Sequence, residues 1–78
     1  MSEEAFGDAF EEFFKNRYTS QNHSYKLVFP DPIEIGEDGT KYFEDCYAVV
    51  EFETHICTFL GFVDKFNIRV AFMSRKWK

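Results

Sequence analysis

Cys46, Cys57, His23 and His55 are the side chains in this sequence best suited to hold a metal ion or attack a substrate. A zinc site legible in sequence needs paired ligands at short spacing, such as two cysteines two residues apart, and here only His55 and Cys57 lie close together. A nucleophilic cysteine needs an electropositive, partly exposed setting, whereas Cys57 falls in an alternating apolar run that points it into a core. The expectation is two small buried thiols, two surface histidines, no metal and no cofactor. The carboxylate pairs Glu3/Glu4, Glu11/Glu12 and Glu44/Asp45 are adjacent in sequence, so nothing indicates that they converge on one substrate. Without a glycine-rich phosphate loop, a nucleophile elbow or a paired-histidine zinc helix, the chain reads as a non-enzyme.

The richer chemistry is aromatic and electrostatic. Eleven of the 78 residues are phenylalanine, and aromatic side chains dominate the energetics of both cores and interfaces. That inventory exceeds the needs of one small core and points to a partner. All 14 acids lie in residues 1–64 against four basic residues, while Lys65, Arg69, Arg75, Lys76 and Lys78 follow with no acid among them. Such a field governs encounter and solubility more than fold. Arg75-Lys76-Trp77-Lys78 has the flavour of a nucleic-acid contact, but the net charge of −5 opposes it, so a solvated tail or a Trp77 packed on a sheet edge is expected and nucleic-acid binding is not.

These residues are positioned by one helix and a run of strands. Ser2 before Glu3 and Glu4 suits a helix start, and Ala5, Phe6, Ala9, Phe10, Phe13 and Phe14 form an apolar stripe over an expected helix at about 2–17. Glu4, Asp8, Glu11, Glu12 and Lys15 lie opposite, with Glu11 and Lys15 as the favourable pair. A polar connector is expected over 16–24. From Tyr25 the period becomes two, predicting strands at about 25–29, 33–35, 40–53, 56–63 and 68–74. Phe29-Pro30-Asp31-Pro32 separates the first two, Gly36-Glu37-Asp38-Gly39 makes a hairpin turn, and Asp64-Lys65-Phe66-Asn67 a four-residue loop. The fold class expected is α+β: an N-terminal amphipathic helix on a four- to five-stranded antiparallel meander, as one domain over 1–78.

Pairing 53 with 56 and 63 with 68 places Cys46, Ala48, Val50, Phe52, Cys57, Phe59, Gly61, Val63, Ile68, Val70 and Phe72 on one apolar face for the helix. The other face then carries Tyr47, Val49, Glu51, Glu53, Ile56, Thr58, Leu60, Phe62, Arg69, Ala71 and Met73, with Tyr47 beside Phe62, Val49 beside Leu60, and Leu60 beside Ala71. An apolar patch of that kind marks an interaction surface.

The function expected is protein binding: a small acidic inhibitor or modulator acting by surface occlusion. Glu4, Asp8, Glu11, Glu12, Glu37 and Asp38 would steer it, and Tyr47, Val49, Leu60, Phe62 and Met73 would anchor it. Asp31, Glu34, Glu44 and Asp45 extend the acidic field around the first hairpin. Phe66, at a loop tip, either packs back or meets a partner. By analogy alone, small acidic chains of this kind are common among phage and mobile-element inhibitors of nucleic-acid-handling enzymes, including anti-CRISPR-like proteins and nucleic-acid mimics. The rival readings are a structural homodimer or assembly subunit closed through the second sheet face, and a small-ligand binder with a pocket between helix and sheet. The acidic start, the few cysteines and the lack of a long apolar run place the chain in the cytoplasm, away from membranes.

Overall fold

The computed structural model describes residues 1–18 and 22–78. One helix, α1 (Glu3–Tyr18), is followed by six strands: β1 (His23–Val28), β2 (Glu34–Ile35), β3 (Lys41–Tyr42), β4 (Asp45–Phe52), β5 (His55–Asp64) and β6 (Asn67–Trp77). Four of them form an antiparallel sheet in the order β1-β4-β5-β6, and β2-β3 is a separate two-stranded hairpin. The α+β architecture is as the sequence predicts. The expected strand over 40–53 is divided, because the chain turns at Phe43 and Glu44 to bury Phe43. The central part of the polar connector, residues 19–21, lies outside the described residues, and its last two positions, His23 and Ser24, already belong to β1.

Ser2 Oγ accepts a hydrogen bond from the Ala5 amide at 3.2 Å, satisfying a first-turn donor as an N-cap does. Lys15 and Arg17 complement the negative end of the helix. Lys15 pairs with Glu12 at 3.3 Å, not with Glu11 as spacing alone favoured. Both partners are well exposed, so the pair contributes little to stability. The start of α1 is tied to the β2-β3 hairpin: the Met1 amino group donates to the Phe43 carbonyl at 2.6 Å, the Phe43 amide donates to the Met1 carbonyl at 2.7 Å, and Ser2 bridges Tyr42.

Phe6, Phe10 and Phe14, spaced by four residues, are the buried edge of the helix. They pack with Phe43, Cys46, Ala48, Val50, Phe52, Cys57 and Phe59 in one core. Phe10 has ring centroids 5.4 Å from Phe14 and 5.7 Å from Phe59, and Phe6, Phe29 and Phe43 continue the chain of rings toward the hairpin. The space between helix and sheet is therefore filled by side chains. The predicted helix-facing set is only partly covered, since Val63 and Phe72 are exposed and Ile68 and Val70 are half-buried. One 16-residue helix cannot span a sheet whose outer strand runs eleven residues.

The register runs lengthwise with the helix. Phe6 lies over Gly61, which pairs with Cys46 near the start of β4, while Tyr18 meets Phe52 at the end of β4. Gly61 is required for that approach: a Cβ there would collide with Cε1 and Cδ1 of the fully buried Phe6 ring. Gly61→Ala is expected to lower unfolding free energy by about 1–3 kcal/mol through overpacking, read as a lower urea midpoint at unchanged m-value. An unchanged midpoint would show that the ring moves aside freely.

Candidate functional site: an acidic pole and an open sheet face

Cys46 and Cys57 are free and buried, as alternation predicts. Loss of hydration pushes the Cys46 thiol up from about 9 to about 11, opposed by the nearby amino terminus and assisted by Asp45 and Glu3. Burial also raises Cys57, and the Arg75 guanidinium offsets part of that shift. His55 stacks on Phe52 with ring centroids 4.7 Å apart, and its Nδ1 shares a 3.0 Å hydrogen bond with Thr54 Oγ1. His23 meets Phe14 edge-on at 4.6 Å. No group of three metal-ligating side chains converges among the described residues. Because the native state holds the thiol protons more tightly than the unfolded chain, folding stability should be independent of thiol titration below pH 9 and fall between about pH 9 and 11. Urea titrations of wild type and Cys46→Ala test this: the alkaline decline should be shallower in the variant.

The acids divide into two groups. Glu4 and its neighbour Glu3 line a shallow groove with Ser2 on one side and Gly39, Thr40 and Lys41 of the hairpin on the other. Glu37 and Asp38 lie in the hairpin turn at this same end and are exposed. The turn is built locally. The Gly39 amide donates to the Gly36 carbonyl at 3.0 Å, the Gly36 amide donates to the Thr40 carbonyl at 2.8 Å, and Gly39 takes a φ of 86°. Asp38 Oδ1 accepts from the Thr40 amide at 3.0 Å, and these bonds to Thr40 hold its carboxyl below the usual value. Asp8, Glu11 and Glu12 are instead strung along the outer side of α1 and are also exposed. The helix acids Glu3 and Glu4 thus share a groove with Gly39, Thr40 and Lys41, the hairpin residues that follow Glu37 and Asp38 in the chain.

Phe66 stands at that same end, beyond the start of β4, and is 100% exposed, so it does not pack back. Its loop is tighter than the sequence suggests. Asp64 pairs with Asn67 within the ladder, leaving Lys65 and Phe66 as a two-residue turn. Lys65 has a φ of 58°, the left-handed region that favours glycine. Arg69 braces the turn through Asp64 at 3.6 Å. Lys65→Gly should stabilise the fold by about 0.5–1 kcal/mol, relief of the left-handed side chain exceeding the added freedom of the unfolded chain. Thermal denaturation with no rise in midpoint would contradict this.

The second sheet face is occupied as predicted by Tyr47, Val49, Leu60, Phe62 and Ala71, but the pairings differ; Met73, expected there too, is the extra residue of a bulge and has no ladder partner, and Ser74 takes the place opposite Thr58. Tyr47 lies opposite Leu60 and Val49 opposite Thr58; Phe62 faces Asp45. The β4-β5 register is two residues from the expected one, because the chain needs Phe52-Glu53-Thr54-His55 to turn and Phe52 pairs with β1. A two-residue slip preserves the faces, which a one-residue slip would have exchanged. Leu60 opposite Ala71 and Val63 opposite Ile68 are as expected. The set is half-buried, and the bulge residue Met73 is 49% exposed. The pairing of β1 with β4 adds Lys26 and Val28, which sequence alternation did not assign because nothing local says where β1 pairs.

A bulge between Thr58 and Phe59 changes the register of the last residues of β6. Arg75 then falls opposite Cys57 and Trp77 opposite His55, with the Arg75 guanidinium 4.9 Å from the Trp77 ring. The basic end is therefore strand, not a solvated tail. Trp77 is on the sheet edge but 62% exposed.

No helix among the described residues is long and apolar enough to cross a membrane. Compared with protein-family models, curated proteins and solved structures, the chain matches none.

Proposed function

We propose that this is a protein-binding module that occludes a basic surface of its partner through its acidic pole, with Phe66 as the anchoring side chain. The observation that carries the reading is a wholly exposed phenylalanine, held on a two-residue turn, at the end of the sheet where Glu3 and Glu4 line a groove against the hairpin that carries Glu37 and Asp38. A rigid aromatic loses little conformational entropy when it enters a pocket, and aromatic anchors dominate binding energy. Surrounding carboxylates accelerate and orient encounter with a basic surface more than they add affinity. Asp8, Glu11 and Glu12 extend the same field along the helix.

The finer form of this proposal is a non-catalytic inhibitor of an enzyme that handles nucleic acid, of the anti-defence kind found in phage and mobile elements. A groove that holds phosphates is a basic surface, and carboxylates can occupy it in place of phosphate. Two buried free thiols suit a reducing compartment, so the cytoplasm is proposed as its place of action.

The test compares wild type with Phe66→Ala and with Glu4→Lys/Glu37→Lys/Asp38→Lys as affinity baits on host lysate. A partner held by the wild type should be lost or at least tenfold weaker with Phe66→Ala, through faster dissociation. With the charge-reversed bait it should associate more slowly, and more so at low salt. Phe66→Ala should leave stability within about 0.5 kcal/mol, so lost binding is not lost folding. Recovery of the same partner by all three baits would remove the proposal.

A further inference from the structure

We infer that the open sheet face is occupied by a second copy of this chain, making a face-to-face homodimer whose acidic poles remain outward. The face opposite α1 has an apolar centre of Val28, Tyr47, Val49, Leu60, Phe62 and Ala71, and among the described residues no element packs over it. What identifies the occupant is the charge around that centre. By ladder position and ion pairing, Asp45, Glu51 and Asp64 lie on this face with Lys26, Arg69, Lys76 and Lys78. Three negatives against four positives leave it near neutrality on a chain of net charge −5.

Four of those seven charges are already paired within the chain. Lys78 Nζ donates to Glu51 Oε1 at 2.9 Å and Arg69 lies 3.6 Å from Asp64, so these groups approach a like surface with part of their field cancelled. The outer side of α1 differs, carrying Glu3, Glu4, Asp8, Glu11 and Glu12 against Lys15 and Arg17. Two copies of an acidic chain repel through most of their surface. The sheet face is where they meet with little net charge, apolar centre to apolar centre, in the aligned or crossed packing open to two sheets. A strongly acidic or basic partner gains nothing from such a neutral rim.

The dimension of the face sets the expected strength. Four strands about 4.8 Å apart and roughly eight residues long present on the order of 500 Å² per copy. About 1,000 Å² in total is the lower bound for a specific interface, so a reversible dimer in the micromolar range is expected. This inference does not depend on the proposed function, because Phe66 and the acidic pole lie off the sheet face.

Sedimentation velocity from about 1 to 500 µM, at low and high salt, tests it on the full chain. The expected result is a concentration-dependent dimer that persists at high salt, since apolar burial and not charge holds it. Val28→Glu and Thr58→Glu place a carboxylate at an open apolar position of the face and at the polar ladder partner of Val49, so the fold should survive, as circular dichroism would confirm, while the dimer weakens at least tenfold. Phe66→Ala should leave the dimer unchanged. A monomer throughout the range, dissociation by salt, or a dimer indifferent to both face substitutions would each overturn the inference.

Discussion

The approach of Phe6 to Gly61 is the constraint from which most of this structure follows. With only a hydrogen at position 61, the helix settles close enough for Phe10 to reach Phe59 and for Phe14 to reach Phe52 and His23. The three buried rings lie along one line of the helix, so seating the first aligns the others with the strands beneath. The alignment also fixes where the helix begins. Ser2 and Met1 are then beside Tyr42 and Phe43, and the backbone bonds between them hold the hairpin against the end of the core. A small protein gains much from this economy, because a core of ten buried residues among those described has little stability to spare.

The same alignment organises the charge. Running from the Glu3 end to the Arg17 end, the helix places its first-turn acids beside the hairpin, and β6 carries Arg75 and Lys76 to the opposite end of the sheet, with Lys78 just beyond it. The protein is elongated, 42 × 22 × 19 Å, and the separation of charge runs with the strands. Surface ion pairs add little stability, so this arrangement matters for encounter and orientation. The edge of β6 is guarded by devices that oppose strand addition: a bulge and a row of cations with no acid among them. Self-pairing along β6 would set these cations against each other. Its neighbouring face, where the charges balance, is the better surface for a second copy.

Local chemistry made much of this legible. The apolar period of 3.6 residues through Phe6, Phe10 and Phe14, with Ser2 ahead of it, is sufficient to predict a capped helix and its buried side. Alternation from Cys46 to Gly61 is sufficient to predict two faces, and it survived a wrong turn at 54–55 because a two-residue error keeps parity. The glycines flanking Glu37 and Asp38 sufficed for the hairpin. The sequence therefore determined the helix, the antiparallel strands, the burial of both thiols and the identity of the open face.

Tertiary structure alone decided what depends on long-range pairing. No local signal says that β1 joins β4, that the hairpin leaves the sheet, or that Phe43 turns inward between two strands; each follows from competition among distant apolar groups for the same core. The bulge that turns Arg75 and Trp77 to the helix side is also visible only in the pairing of β6 with β5. The acidic pole is likewise a tertiary object, since Glu3 and Glu4 come to lie against the hairpin that carries Glu37 and Asp38 only when the helix start docks on it. Periodicity is a property of neighbours along the chain, whereas register and charge convergence are properties of neighbours in space.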